Sequence, residues 1–112
     1  MSEYNGYTNR ATWLVSLWMD NGPGLRDWWV DRGRMIYKHK AKVQRQFTKM
    51  EDAIYIFALD INWAYDEAMS DMMERVDAVS SIWYDLLNNS MLDVDWRQIA
   101  KNLLEDVELE VS

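Results

Sequence analysis

Apolar residues recur along this chain with a helical period in every long segment and alternate in none, and that property confines it to an all-α fold. Asn9 precedes the run Trp13, Leu14, Leu17 and Trp18, and Asn21-Gly22-Pro23-Gly24 ends it, because glycine accepts the left-handed conformation after a helix and proline cannot continue one. The first helix is therefore expected over Arg10 to Asp20, with Trp13 and Trp18 in the core. A second is expected from Leu25 to about Gln46, with Leu25, Trp28, Trp29, Met35, Ile36 and Val43 as candidate buried positions and Gly33 weakening its middle. Thr48 with Glu51 three residues on forms a capping box, so a third helix starts near Lys49. Its buried set is Met50, Ile54, Phe57, Ala58, Ile61, Tyr65 and Ala68, with an extension past Met69 through Met72, Met73 and Val76 left open. Asp77 caps a fourth helix carrying Val79, Ile82, Trp83, Leu86 and Leu87, and Asp95 with Gln98 opens a last one carrying Trp96, Ile99, Ala100, Leu103, Leu104 and Val107. The short connections predict a compact bundle of about five helices. The organisation is a single domain over residues 1–112, with an N-terminal arm at 1–8 and a fraying tail at 108–112.

Composition narrows the function classes. A chain of 112 residues that is 49% apolar can build one core and has no room for a second. No segment approaches the roughly 18 consecutive apolar residues of a membrane span, and Met1-Ser2-Glu3-Tyr4 lacks the basic-then-apolar order of a signal peptide, so a soluble protein without a membrane partner is expected. Cysteine is absent, which removes disulfides, thiolate nucleophiles and zinc–sulfur sites. The single histidine, His39, stands between Lys38 and Lys40 on a helix surface with no carboxylate near it in sequence. Ser80-Ser81 has no basic partner at a useful spacing, and Gly22-Pro23-Gly24 is a turn rather than a phosphate loop. The carboxylates around Asp66, Glu67, Asp71 and Glu74 lack the glycine-bearing loop of an EF-hand. These features argue against an enzyme: no catalytic residue, metal site or cofactor is expected.

Charge is distributed unevenly. Up to Phe47 the chain holds eight basic and four acidic side chains, a balance of +4; from Thr48 onward four basic residues face 15 carboxylates, a balance of -11. If the third helix reaches Glu74, Asp60, Glu67, Asp71 and Glu74 fall within a strip about 60° wide that rises over roughly 21 Å. Duplex DNA places one phosphate per roughly 1.7 Å of axis, counting both strands, so carboxylates at this spacing can imitate part of one strand. Trp63 lies beside the strip and away from the Ile54, Ile61 and Ala68 face, where it can add contact area that survives salt. The competing reading is a solvated helix face whose acid serves solubility. The basic stretch Arg32, Arg34, Lys38, Lys40, Lys42 and Arg45 permits phosphate contact or neutralisation of the acidic half; direct nucleic-acid binding is the weaker reading, because a net charge of -7 repels DNA at long range. In the pair Trp28-Trp29, neighbours 100° apart cannot both face one core centre, so one of them is exposed or at an interface.

Two segments carry a family resemblance. Asn9-Arg10-Ala11-Thr12-Trp13-Leu14-Val15-Ser16-Leu17-Trp18-Met19-Asp20-Asn21 resembles the opening pattern Asn-x-x-Thr-Trp-x-Val-x-Leu-Trp-x-Asp-Asn of a family of short acidic proteins carried by bacteriophages and bacterial mobile elements. Val94-Asp95-Trp96-Arg97-Gln98-Ile99-Ala100, followed by Leu104-Glu105-Asp106, is similar to that family's closing helix. The resemblance implies a phage origin, and with it action in the host cytoplasm, rather than a mechanism, since the family has no assigned enzymatic activity. It transfers no functional residue, since the matched positions read as caps and packing. Together these readings lead to an expected stoichiometric inhibitor that mimics DNA and occupies the cleft of a host enzyme: a restriction or CRISPR nuclease, or uracil-DNA glycosylase. Its expected contact surface is Asp60, Trp63, Glu67, Asp71 and Glu74, flanked by Asp66, Asp77 and Asp85. The alternative is a structural or regulatory protein-interaction module, with a homodimer as one form, that pairs through exposed Trp and Met surface.

Overall fold

Each capping signal within the visible chain sits at a helix start. A computed structural model describes residues 4–74 and 89–111 of the protein. Helix α1 spans Arg10–Asn21, and Asn9 Oδ1 accepts hydrogen bonds from the Thr12 amide at 2.9 Å and the Thr12 hydroxyl at 2.7 Å. Helix α2 spans Leu25–His39 and starts from Gly24, whose φ of 71° is the left-handed turn that glycine supplies without strain. Helix α3 spans Lys49–Glu74 behind the expected capping box: the Thr48 amide donates to Glu51 Oε1 at 2.9 Å and the Glu51 amide to Thr48 Oγ1 at 3.0 Å. At 1.5 Å per residue it is about 39 Å long, so the extension left open past Met69 is realised. Helix α4 spans Trp96–Val111, beyond Glu108 where the tail was expected to fray. The all-α class is the one found. The isolated bridges Tyr4–Tyr7 and Gln44–Phe47 are tight turns. The expected helix capped by Asp77, with Val79 to Leu87, lies outside the described residues.

Four expectations are corrected. Helix α2 stops at His39 rather than Gln46, and Val43 is exposed instead of buried. The competitor is Asp52, a buried carboxylate that accepts the Lys42 amide at 2.9 Å and Gln44 Nε2 at 2.6 Å, holding the chain in a loop. The amides of Lys40 and Ala41 both close onto the Ile36 carbonyl, which ends the helix. In α1, the buried face is Thr12, Ser16 and Met19, while Trp18 is 70% exposed. Small side chains on this face let α1 approach α4 closely; the larger indole is turned outward. Ala68, placed in the core from its spacing, is also exposed, since the buried face of α3 near its end narrows to Met69.

The N-terminal arm and the two resembling segments form one clasp. Asn5 and Gly6 both have positive φ, 51° and 88°, which makes the Tyr4–Tyr7 turn the Asn-Gly hairpin type. Tyr4 then packs on Trp13 with ring centroids 5.0 Å apart. Thr8 donates from its amide to Gln98 Oε1 at 2.8 Å and from its hydroxyl to Asp95 Oδ2 at 2.6 Å. The Asp95 amide in turn donates to Thr12 Oγ1 at 2.8 Å, and Asn9 Nδ2 to the Asp93 carbonyl at 2.6 Å. Asp95 also caps α4 through the Gln98 amide at 3.1 Å. The caps of α1 and α4 are thus wired to each other across more than eighty residues of sequence.

Below the clasp, α3 packs most extensively on α4, and α2 lies against both. Phe57, Ile61, Ile36, Ile99 and Leu104 are fully buried at the centre. An aromatic ladder crosses the helices: Trp28 meets Trp29 edge-on at 4.8 Å, Trp29 stacks on Tyr65 at 6.2 Å, and Tyr65 stacks on Trp96 at 5.6 Å. Burial pushes the Tyr65 hydroxyl above its ordinary pKa, and the neighbouring Trp29 indole partly offsets this, although among the described residues Trp29 Nε1 itself reaches no partner in hydrogen-bonding geometry. Trp29 is buried and Trp28 exposed, which is the division expected for adjacent tryptophans.

Candidate partner-binding surface

The outward side of α3 is built by one repeat. Tyr55, Leu59, Trp63, Glu67 and Asp71 follow at four-residue intervals, each step drifting about 40° around the helix and rising about 6 Å. All five are exposed, Trp63 to 65%. The stripe is apolar in its first three members and anionic in its last two. Asp66 stands on the other flank of Trp63 and is exposed as well. Among the described residues Asp66, Glu67 and Asp71 make no ion pair.

Asp60 differs from the rest of the expected strip. Its two oxygens accept Arg32 Nε and Nη2, both at 2.9 Å, in a two-pronged pair that is only partly exposed. Hydrogen bonding to this carboxylate raises the Arg32 pKa further. A carboxylate already matched by a guanidinium presents little net field to a partner, so Asp60 ties α3 to α2 instead of extending the acidic edge. Glu74 is the last residue of α3, while Asp77 and Asp85 lie outside the described residues. The structure therefore brings together Trp63, Asp66, Glu67 and Asp71 and sets Asp60 apart.

Beside Trp63 a groove of about 630 Å³ opens between α3 and the start of α4, lined by Leu59, Asn62, Trp63, Asp66, Leu92 and Trp96 among others. Leu92, which sequence reasoning passed over, is 75% exposed at its rim. Leu59 and Tyr55 were missed too, although their four-residue spacing ahead of Trp63 was a readable signal. Elsewhere the basic stretch is divided: Arg32 is paired with Asp60 and Arg34 with Asp31 at 2.6 Å. Lys38, His39, Lys40, Lys42 and Arg45 remain exposed at the end of α2 and in the loop after it. Among the described residues no three metal-ligating side chains converge, and no helix is long and apolar enough to cross a membrane.

A family model matches residues 1–110, which takes in all three capped helix starts, the clasp and the α3 edge. The chain belongs to the family of unknown function DUF7249. No curated protein and no solved structure matches it. Membership in DUF7249 carries no assigned activity, so function must be argued from the surface itself.

Proposed function

We propose that this DUF7249 protein is a phage-encoded stoichiometric inhibitor that lays the outward edge of α3 into the DNA-binding cleft of a host nuclease or uracil-DNA glycosylase. The observation that carries the reading is the exposed Trp63 set between Asp66 on one flank and Glu67 and Asp71 on the other, with no cation matched to these carboxylates among the described residues. Unpaired carboxylates steer the protein to a basic cleft, and a large exposed indole supplies a contact that salt does not screen. Phage origin is supported by the resemblance of the Asn9–Asn21 segment. The test is to capture the partner from host lysate, then titrate its DNA binding with pure protein. Stoichiometric loss of DNA binding, weakened by salt, is expected; the variants Trp63→Ala and Asp66→Asn/Glu67→Gln/Asp71→Asn should each lose it while keeping their helical circular dichroism. Asp60→Asn should leave inhibition nearly unchanged, because Arg32 already occupies that carboxylate. Full inhibition by the triple variant would remove charge mimicry from consideration.

Exposure of Leu59 and Leu92 beside Trp63 favours a second reading, a structural or regulatory module that pairs through this apolar groove, a homodimer being one form. Such a contact would be nearly indifferent to salt, and Leu92→Asp would disrupt it more than loss of the carboxylates.

A further inference from the structure

At the other end of α3 the loop after α2 folds over the helix start and encloses a hollow of about 270 Å³, lined by Gln44, Phe47, Glu51, Asp52, Tyr55 and Arg97. Phe47 is 51% exposed and Tyr55 58%, so two aromatic rings offer open faces to the same space. Neither is needed for the core, and the Gln44–Phe47 turn that carries one of them is held by reciprocal backbone hydrogen bonds of 3.0 and 3.3 Å. Arg97 comes from α4 and sits close enough to Glu51 to act on its charge. Both carboxylates of the hollow are already engaged: Asp52 by the Lys42 amide and Gln44 Nε2, Glu51 by the Thr48 amide. Lys42 and Arg45 are exposed on the same loop that carries Gln44 and Phe47, with Lys38 and Lys40 just before them.

We propose that this hollow takes an unstacked nucleobase of a single-stranded nucleic acid, stacked against Phe47 and Tyr55 and beside the Arg97 guanidinium, with its flanking phosphates on Lys42 and Arg45. The chemistry is that of strand-binding surfaces generally: rings give every base a face to stack on, and cations follow the backbone. The volume suits one base with its sugar and does not admit a base pair still stacked in a duplex. Net charge does not forbid it. Asp66 and Asp71 lie 11 and 16 positions beyond Tyr55 on α3, about 16 and 24 Å along the axis, whereas the Debye length at physiological salt is about 8 Å. At the hollow itself Glu51 and Asp52 stay negative, but Arg97, Lys42 and Arg45 outnumber them, so the local balance is positive and the distant acid is screened. This inference is separable from the inhibitor reading: no residue that lines the hollow lines the Trp63 groove, and Tyr55 precedes Trp63 by eight positions, about 12 Å along α3.

The test is fluorescence anisotropy of the full chain with a labelled 12-nucleotide single strand, the same sequence as a duplex, and a free nucleoside monophosphate as competitor. Single-strand binding that weakens with salt is expected, several-fold tighter than duplex binding. Phe47→Ala should weaken it about 10-fold by loss of one stacking ring, and Lys42→Glu/Arg45→Glu should weaken it by more than that and flatten the salt dependence of what remains. Trp63→Ala should leave it unchanged. Both target segments are exposed, and circular dichroism of each variant verifies folding. Competition by the monophosphate at the affinity of the whole strand would identify a free nucleotide as the ligand and overturn the strand assignment. No binding at low salt, equal binding of duplex, or an unaltered Phe47→Ala variant would each overturn the proposal.

Discussion

Gly33→Ala sets two local effects against each other, and the structure decides which prevails. In a helix interior alanine is favoured over glycine by about 1 kcal/mol, so an exposed glycine in the middle of α2 would be a site for easy stabilisation. Gly33 is not exposed. A Cβ there would lie 2.7 Å from Phe57 Cε2, 3.1 Å from Phe57 Cζ and 3.2 Å from Leu104 Cδ2. Carbon atoms pack comfortably at about 3.5–4.0 Å, so the ring must retreat by most of an ångström. Phe57 and Leu104 are both fully buried, and the Phe57 ring is backed by Trp29 at 6.2 Å between centroids, so the ring has little space to move into. Overpacking of this kind costs about 1–3 kcal/mol. Against the propensity gain, the net expectation is destabilisation by about 1 kcal/mol, which lowers Tm by about 4 °C in a domain of this size.

Urea unfolding followed by far-ultraviolet circular dichroism measures the difference, and a second background isolates its cause. In a Phe57→Leu protein the clashing ring edge is gone, so the additional effect of Gly33→Ala should shrink to zero or change sign. The close-approach argument is wrong if Gly33→Ala stabilises the wild-type chain, or if its cost is the same with leucine at position 57.

Other perturbations probe the clasp and the aromatic ladder. Thr12→Val preserves shape but removes the oxygen that accepts the Asp95 amide, leaving a partly buried donor unmatched; a loss of about 1–3 kcal/mol is expected in the same urea assay. Trp18→Ala, by contrast, should fall within about 0.5 kcal/mol of wild type, because the indole is already in solvent. Tyr65 has its pKa raised by burial, so its contribution to stability is complete below the ordinary value of 10.0 and is lost as pH rises through the higher folded value. Ultraviolet titration of the wild-type and Tyr65→Phe proteins should assign to Tyr65 a transition above the ordinary value of 10.0, and Tyr65→Phe should reduce the alkaline loss of stability.

The parts of the fold that could be read in advance are those decided by neighbours in sequence. Asn9 with Thr12, Thr48 with Glu51 and Asp95 with Gln98 each satisfy free amides within one turn, so their spacing alone locates three helix starts. What escaped reading depends on partners far along the chain. The end of α2 is decided by Asp52, which captures the Lys42 amide and the Gln44 side chain, and nothing between Lys38 and Gln46 announces that capture. The burial of Thr12 and Ser16 in place of Trp18 follows from the approach of α4, since a helical wheel cannot say which of two adjoining faces a neighbour will choose. The candidate surface divides in the same way. Trp63, Glu67 and Asp71 could be placed by helical geometry once α3 was continuous, whereas the neutralisation of Asp60 depended on Arg32 arriving from another helix.

This division also separates what the resembling segments can carry from what they cannot. Thr12 and Asp95 close the clasp between α1 and α4, Asn9 reaches the Asp93 backbone, and Gln98 answers Thr8, so these positions are occupied with holding the first and last helices together. A residue whose polar atoms are all engaged inside the protein has none left for a partner. The surfaces that remain chemically open are the Trp63–Asp71 edge, whose carboxylates are unmatched among the described residues, and the Phe47–Tyr55 hollow with its exposed cations. They lie toward opposite ends of one rigid helix and carry opposite charge. On the two proposals a ligand would be sorted by sign before any side chain touches it, a basic cleft at the acidic edge and a phosphate strand at the hollow. The helix that joins them sets Asp66 and Asp71 about 16 and 24 Å along its axis from Tyr55, roughly two to three Debye lengths at physiological salt, so neither charge cluster much alters the field at the other.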